Sequence, residues 1–384
     1  MFRSICSRAT APCVLTLCLT GGFAQAQALR VLTLTPARAA ACKGKSFAFT
    51  SDDFFKAARA ALLNKANFGT SGRVKRAIQF QTPAATLTVA NLSDADIVLL
   101  PPGTTLSAEE TDLLASFTCN GGGLVSIGNA VAKEHATLLG GEPGPDQTTS
   151  PTVSPRNSPL INGMFGKLAT NTTIPTGFHG SFAFAPIHGT PALVNGKLPV
   201  ALSFFLGHGR AAIVADEEMF VDGRVSGCAL AGWSKNSEMI FLNCFAFVMP
   251  PPTFKFTAQD VIFASYGQGC PGTNGRPIAS WSGQPKPGNF MRFNVMNGLP
   301  GAIGVMVAGA QRFTQGMCWQ HVTPIVFTLP IRLSAQGSAR PGSVSLSAQV
   351  PQNIRALLVA QCVLLDKGGN RGLATSNGAE VIIR

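Results

Sequence analysis

The chain has 384 residues, of which 46% are apolar and only 12% charged, with a formal net charge of +12. At about 150 residues per domain, that length points to two or three domains. So little charge excludes a disordered polyelectrolyte, and the 41 glycines and 26 prolines, having no period, exclude collagen and favour turn-rich β structure.

Residues 1–26 read as an export signal. Arg3 and Arg8 precede an uncharged run over residues 9–23, and Ala24-Gln25-Ala26 is a small-x-small cleavage site. The run is shorter than the roughly 20 residues of a membrane helix. No later apolar run is long enough to span. The expectation is a secreted, periplasmic or cell-surface protein with no membrane span once the signal is removed. Seven cysteines lie beyond the signal: Cys42, Cys119, Cys228, Cys244, Cys270, Cys318 and Cys362. An exported compartment permits disulfides, and an odd count leaves at least one thiol free or paired between chains. None of the seven stands in a CxxC pair, which speaks against zinc and thioredoxin-like sites.

Residues 29–250 alternate strand-like and helix-like segments. Residues 30–35 predict a first strand. Residues 52–64 carry Phe54, Phe55, Ala58, Ala61 and Leu62 at helical spacing, with Ser51-Asp52-Asp53 expected as N-cap and dipole partner. Ile97-Val-Leu-Leu100 is apolar enough to be buried on both faces of a parallel sheet. Ser107-Ala-Glu-Glu110 is a capping box, and Leu113, Leu114 and Phe117 continue one face of its helix. Gly121-Gly-Gly123 ends that helix ahead of a strand over 124–128. Residues 199–205 and 210–215 are further strands, and Asn236 or Ser237 is expected to cap a final helix reaching Met249. This alternation implies an α/β domain, flavodoxin-like with a mostly parallel sheet.

Residues 251–253 form a Pro-rich linker, after which the period changes. Over residues 254–384 short alternating runs are broken by Gly, Pro and Asn. Met291, Phe293 and Val295 share one face, as do Val344, Leu346 and Ala348. An all-β sandwich or jelly roll is expected. This region holds 11 basic residues and three acidic ones, a net charge of +8. A cationic exported module invites an anionic cell-surface glycan or envelope polymer as partner, against the alternative that the charge serves solubility alone. No nucleic-acid motif is present, and nucleic acid is not expected.

Ligands of an open α/β sheet sit beyond the carboxyl ends of its strands. That places a candidate site at Arg38, Gly103, Gly128, Asn129, Asp216, Glu217 and Glu218. The last three form a dense acidic cluster, suited either to acid/base or cation chemistry or to capping the following turn. His179 and His188 are the one histidine pair near enough in sequence to consider for a metal. No HExxH and no P-loop occur, so neither a metal nor a cofactor is expected. Residues 366–372 read as a strand-connecting turn rather than a calcium loop, since Lys367 and Arg371 oppose a cation. Cys362, inside an apolar strand, is expected to be a buried free thiol. Cys42 and Cys228, both in strand-end loops, are the pair expected in the first domain.

Two resemblances sharpen this reading. Ala95-Asp-Ile-Val-Leu-Leu-Pro-Pro-Gly103, residues 107–128 and Gly207-His-Gly-Arg-Ala-Ala-Ile-Val-Ala-Asp-Glu-Glu-Met-Phe220 resemble the class I glutamine amidotransferase-like fold. Catalytic relatives place a cysteine on the tight turn after the strand matching residues 124–127, where backbone N–H groups stabilise the oxyanion. Here that turn reads Gly128-Asn129-Ala130, and His208 is followed by Gly209-Arg210 rather than by the family's His-x-Glu. The resemblance therefore implies the fold without thioester chemistry. Tyr266-Gly-Gln-Gly-Cys-Pro-Gly272, Asn297-Gly-Leu-Pro-Gly301, Gly316-Met-Cys318, Gln361-Cys-Val-Leu-Leu-Asp366 and Ser376-Asn-Gly378 resemble a C-terminal β-domain of exported planctomycete-type bacterial proteins. That resemblance implies a Cys270–Cys318 bridge, which would stabilise by about 4 kcal/mol in the chain-entropy view. Three functions stay open: a non-catalytic exported binding or scaffold protein; an extracellular carbohydrate-active hydrolase or lyase using Asp216 and its neighbours; and a purely structural or adhesion protein.

Overall fold

The computed structural model describes residues 27–128, 142–143, 145–176, 179–184, 189–206, 208–222, 232–266, 269–283, 285–313, 320–338 and 341–383. The expected signal, residues 1–26, lies outside them. Strands β1 (Leu29–Thr33), β2 (Ile78–Phe80), β3 (Ile97–Leu100), β4 (Gly123–Ile127), β5 (Thr152–Val153), β6 (Gly189–Asn195), β7 (Leu198–Leu206) and β8 (Gly209–Val214) build one sheet. Its order is β2-β1-β3-β4-β8-β7-β6-β5. The first five strands are parallel, and the last three continue antiparallel. The parallel part thus reads 2-1-3-4-5, the flavodoxin-like order.

Because successive strand residues face opposite sides, one apolar run feeds two cores. Leu29, Val31, Ile97, Leu99, Val125 and Val214 pack with helices α1 (Lys56–Leu63) and, later in the chain, Lys235–Val248. Leu32, Val98, Leu100, Leu124, Ala211 and Ile213 pack under the helices Val89–Ser93 (α2) and Ala108–Cys119 (α3), with Phe254 and Phe256 closing over Phe117. The Lys235–Val248 helix is α4.

Helix starts follow local chemistry where that chemistry exists. Ser107 and Glu110 make the expected capping box on α3. For α4 the cap is Ser234, bonded to Ser237, two or three residues earlier than the sequence reading placed it. The Ser51-Asp52-Asp53 expectation needs correction. Helix α1 begins only after Phe55, and Asp53 instead accepts hydrogen bonds from Ser46 N and Ser51 Oγ. The first turn of α1 is served from far away, by the Asp222 carboxylate accepting from Ala57 N.

The second half is all β. Strands β9 (Phe263–Tyr266), β10 (Ile278–Gly283), β11 (Phe290–Met296), β12 (Ile303–Arg312), β13 (Val322–Arg332), β14 (Val344–Gln349), β15 (Ala356–Asn370), β16 (Leu373–Thr375) and β17 (Gly378–Ile383) form two antiparallel sheets. One runs β9-β17-β15-β12-β13 with β16 paired to β15; the other runs β10-β11-β14. Trp281, Met291, Phe293, Met306, Leu364 and Val381 fill the space between them. Pro324, Pro330 and a bulge opposite Ala308–Gly309 blunt the outer edge at β13.

Helix α3 belongs to both halves. Leu114 and Phe117 enter the α/β core, while Ala115 and Cys119 join the core of the sandwich. Ser116 Oγ accepts from Ile262 N at 3.1 Å and Phe263 N at 3.2 Å, and Asn120 Nδ2 donates to Asp260 O at 2.8 Å. No helix among the described residues is long and apolar enough to cross a membrane.

Candidate functional site

In a 2-1-3-4-5 sheet the ligand crevice opens between the carboxyl ends of β1 and β3, where the strand order reverses. Strand β1 leaves that edge into a 3-10 turn, Pro36–Arg38. Both terminal nitrogens of the Arg38 guanidinium are engaged there. Nη1 lies 3.0 Å from Glu110 Oε1 and Nη2 3.0 Å from Oε2, a two-pronged ion pair. Nη1 also donates to Ala85 O at 2.6 Å, and Nη2 to Thr105 O. Glu110, buried, accepts in addition from Ser107 N and Leu87 N, each at 2.9 Å. Burial pushes its carboxyl up, but Arg38 and these two N–H groups more than offset that, and its pKa sits below the ordinary value. Arg38 therefore clamps α3 to the sheet through both of its terminal nitrogens.

The chain comes close to itself at this edge. Ala40 N donates to Pro102 O at 2.7 Å, bringing the backbone after the Pro36–Arg38 turn against the residues that follow β3. Gly103 has φ +77, and a Cβ there would stand 2.5 Å from Ala40 Cβ. Gly128 has φ +114, and a Cβ there would stand 2.8 Å from Pro102 Cα. Both glycines are required by close backbone approach at the strand ends, a packing duty that accounts for them without any ligand. Asn129, the next residue of that turn, lies outside the described residues.

Asp216 follows β8 and is wholly buried. Its Oδ1 accepts from Met219 N at 3.3 Å, capping the 3-10 turn Glu218–Phe220. Its Oδ2, like Thr176 Oγ1, completes no hydrogen bond among the described residues. Burial drives the carboxyl well above its ordinary pKa; the Thr176 hydroxyl favours the ionised form, while Glu217 and Glu218 oppose it. That burial suits the carboxyl to a turn cap and disfavours its charged form. Glu217 and Glu218 are half-buried beside it. No hydrogen bond or ion pair joins Asp216 to Arg38, so the predicted residues occupy separate strand ends rather than one constellation.

The histidines are structural where they are described. His179 is buried, with Nδ1 2.7 Å from Gly180 O and Nε2 2.8 Å from Thr149 O. His188 lies outside the described residues. Among the described residues no group of three His, Cys, Asp or Glu side chains could hold a metal. The turn expected over 366–372 is shorter: β15 runs through Asn370, Arg371-Gly372 turn into β16, and Asp366, within β15, accepts from Thr273 N and Gly368 N. Cys119, Cys244 and Cys362 are free and buried, which bears out the reading of Cys362; Cys42 and Cys270 are not among the free thiols, and Cys228 and Cys318 lie outside the described residues.

The sequence reading missed the seam at α3. Its signal was present: Asp112, Ala115, Ser116 and Cys119 form an i, i+3, i+4, i+7 stripe of small and polar residues on a face away from Leu114 and Phe117. Such a stripe fits a close partner rather than solvent.

No protein-family model matches the chain, and no curated protein matches it. Among solved structures, a ThuA-like protein of Bacteroides uniformis is 13% identical and covers 64% of this chain and 95% of its own, with a TM-score of 0.39. Two cytoplasmic proteins of Salmonella typhimurium, 12% and 10% identical, each cover 58% of this chain and 100% of their own with TM-scores of 0.37. At these scores the fold assignment rests on the strand order of this chain alone.

Proposed function

We propose that this chain is an exported, non-catalytic binding or scaffold protein. An amidotransferase-like α/β layer without its nucleophile carries a basic β-sandwich onto an anionic glycan or envelope polymer. The observation that carries this reading is the close backbone contact at the carboxyl ends of β1 and β3, where Ala40 lies against Pro102 and Gly103 beside the Arg38–Glu110 clamp. The Gly128-Asn129-Ala130 turn, which has no cysteine or serine, supports it from the sequence. Lys255, Arg276, Lys286, Arg332, Arg355, Lys367 and Arg371 are exposed and supply the cationic surface. The proposed bridges, Cys42–Cys228 and Cys270–Cys318, fit an oxidising compartment.

The test is retention of the full mature chain on a sulfated or uronic-acid polysaccharide across a salt series. Retention at about 0.1 M salt that is lost by about 1 M supports docking, because screening shortens the reach of exposed charges. No retention at about 0.1 M removes it. A second reading, an extracellular hydrolase or lyase, draws on the buried carboxyl of Asp216, whose pKa burial raises. Turnover of an acidic polysaccharide that disappears in Asp216→Asn would favour it.

A further inference from the structure

The seam between the two halves contains an ionisable group with no ionic partner. Asp112, on the sandwich-facing stripe of α3, is 3% exposed. Across from it on β9 stands Ser265. Neither Asp112 Oδ2 nor Ser265 Oγ completes a hydrogen bond among the described residues. A carboxylate buried here with no cation beside it is costly, so burial favours its neutral form. Asp112 is flanked by the strongest contacts of the seam: Ser116 with Ile262 and Phe263, and Cys119 against the Gly283 carbonyl.

The charged groups around it are otherwise engaged. On α3, Glu109 acts on Asp112 and opposes its ionisation, whereas Glu110 is taken by Arg38. On β9, Tyr266 donates to His321 O and lies under Arg312, which is paired with Glu380 on β17. Strand β10 has no ionisable side chain. On β8, Arg210 is bound to Phe247 O and the Phe205 and Phe247 rings. Before β9, Asp260 caps Thr257. Beyond β10, Lys286 meets His208 at 2.5 Å.

We propose that Asp112 is a proton-operated latch between the α/β layer and the β-sandwich. In the closed seam it is the neutral acid, facing Ser265; loss of its proton leaves a buried carboxylate with no cation beside it among the described residues and loosens α3 from β9. Burial pushes the carboxyl up to about 7, with Ser265 favouring and Glu109 opposing the ionised form. The sign follows from linkage. A carboxyl whose closed-state pKa is raised holds the seam tightest below its ordinary pKa, and that contribution is lost as pH rises from about 4 through about 7.

The test is hydrogen exchange at the Ile262 and Phe263 amides, which donate to Ser116 across the seam, in the full mature chain. After correction for the intrinsic rate, their protection should fall on the order of a hundredfold between pH 5 and pH 8, a figure that follows from the pKa difference between closed and open states. Asp112→Asn, which keeps a donor toward Ser265 and cannot ionise, should hold protection flat over that range. Ser265→Ala, which removes the group favouring ionisation, should shift the fall to higher pH. Wild-type protection that does not change with pH, or an Asp112→Asn protein with the same slope as wild type, overturns the latch.

Discussion

The two halves treat their arginines in opposite ways. In the α/β layer Arg30 and Arg76 converge on buried Asp96, Arg38 grips Glu110, and Arg59 pairs with Asp52 while donating to two carbonyls. In the sandwich Arg276, Arg332, Arg355 and Arg371 are exposed, and Arg312 with Glu380 is the one ion pair found among the described residues. The first half spends its positive charge on holding loops to strands; the second leaves it in water. A similar number of arginines therefore means stability in one half and a surface potential in the other, which net charge alone does not distinguish.

Four experiments would break or sharpen that contrast. The largest effect is expected from Asp96→Ala, which strands Arg76, whose other partners are only the Gln27 and Pro250 carbonyls. Removing one partner of a buried pair should cost about 3–5 kcal/mol in denaturant unfolding; a loss below about 1 kcal/mol would mean the layer is not held by its ion pairs. Next comes a glycine comparison. Gly103→Ala forces a Cβ onto Ala40 at positive φ and should cost about 2–3 kcal/mol. Gly337→Ala, at φ +88 with open space in the sandwich, should cost about 1 kcal/mol. Equal values would show that the crevice yields and could admit a ligand.

A pH effect of similar or smaller size is expected at Asp216. Its raised pKa makes it more stabilising at acid pH, and that share is lost as pH rises; Asp216→Asn should therefore flatten the upper part of the melting-temperature profile relative to wild type. Parallel profiles would place the carboxyl in water. The smallest effect on stability should come from Arg276→Ser with Arg371→Ser: within about 0.5 kcal/mol in unfolding, yet with weaker polysaccharide retention. A further check concerns sulfur. Burial pushes the Cys119 and Cys244 thiols up to about 12 and raises Cys362 as well, so an alkylating reagent should reach these three thiols only after denaturation.

Several elements could be read directly because their causes are local. Ser107 and Glu110 are three residues apart, so the capping box declares the start of α3. Ile97-Val-Leu-Leu100 announces a doubly buried strand by composition. Met291, Phe293 and Val295 declare a sandwich face by alternation. The Ser51–Asp53 reading failed for a physical reason: those side chains found closer donors in Ser46 and in one another, and the turn of α1 was satisfied by Asp222, 165 residues away. The candidate site was half visible. Glycines at strand ends could be picked out, but not that they were needed to let Ala40 and Pro102 approach.

What the order of amino acids determined was the alternation of strands and helices, the change of period near Pro250, and a sandwich richer in positive charge than in negative. The use of each charged group was set by packing between distant parts of the chain. Glu110 meets Arg38 across 72 residues, Asp96 meets Arg76 across 20, and Asp112 meets no cation among the described residues. Periodicity is set by neighbours a few residues apart, whereas the state of a carboxyl depends on which distant surface closes over it and whether that surface brings a charge.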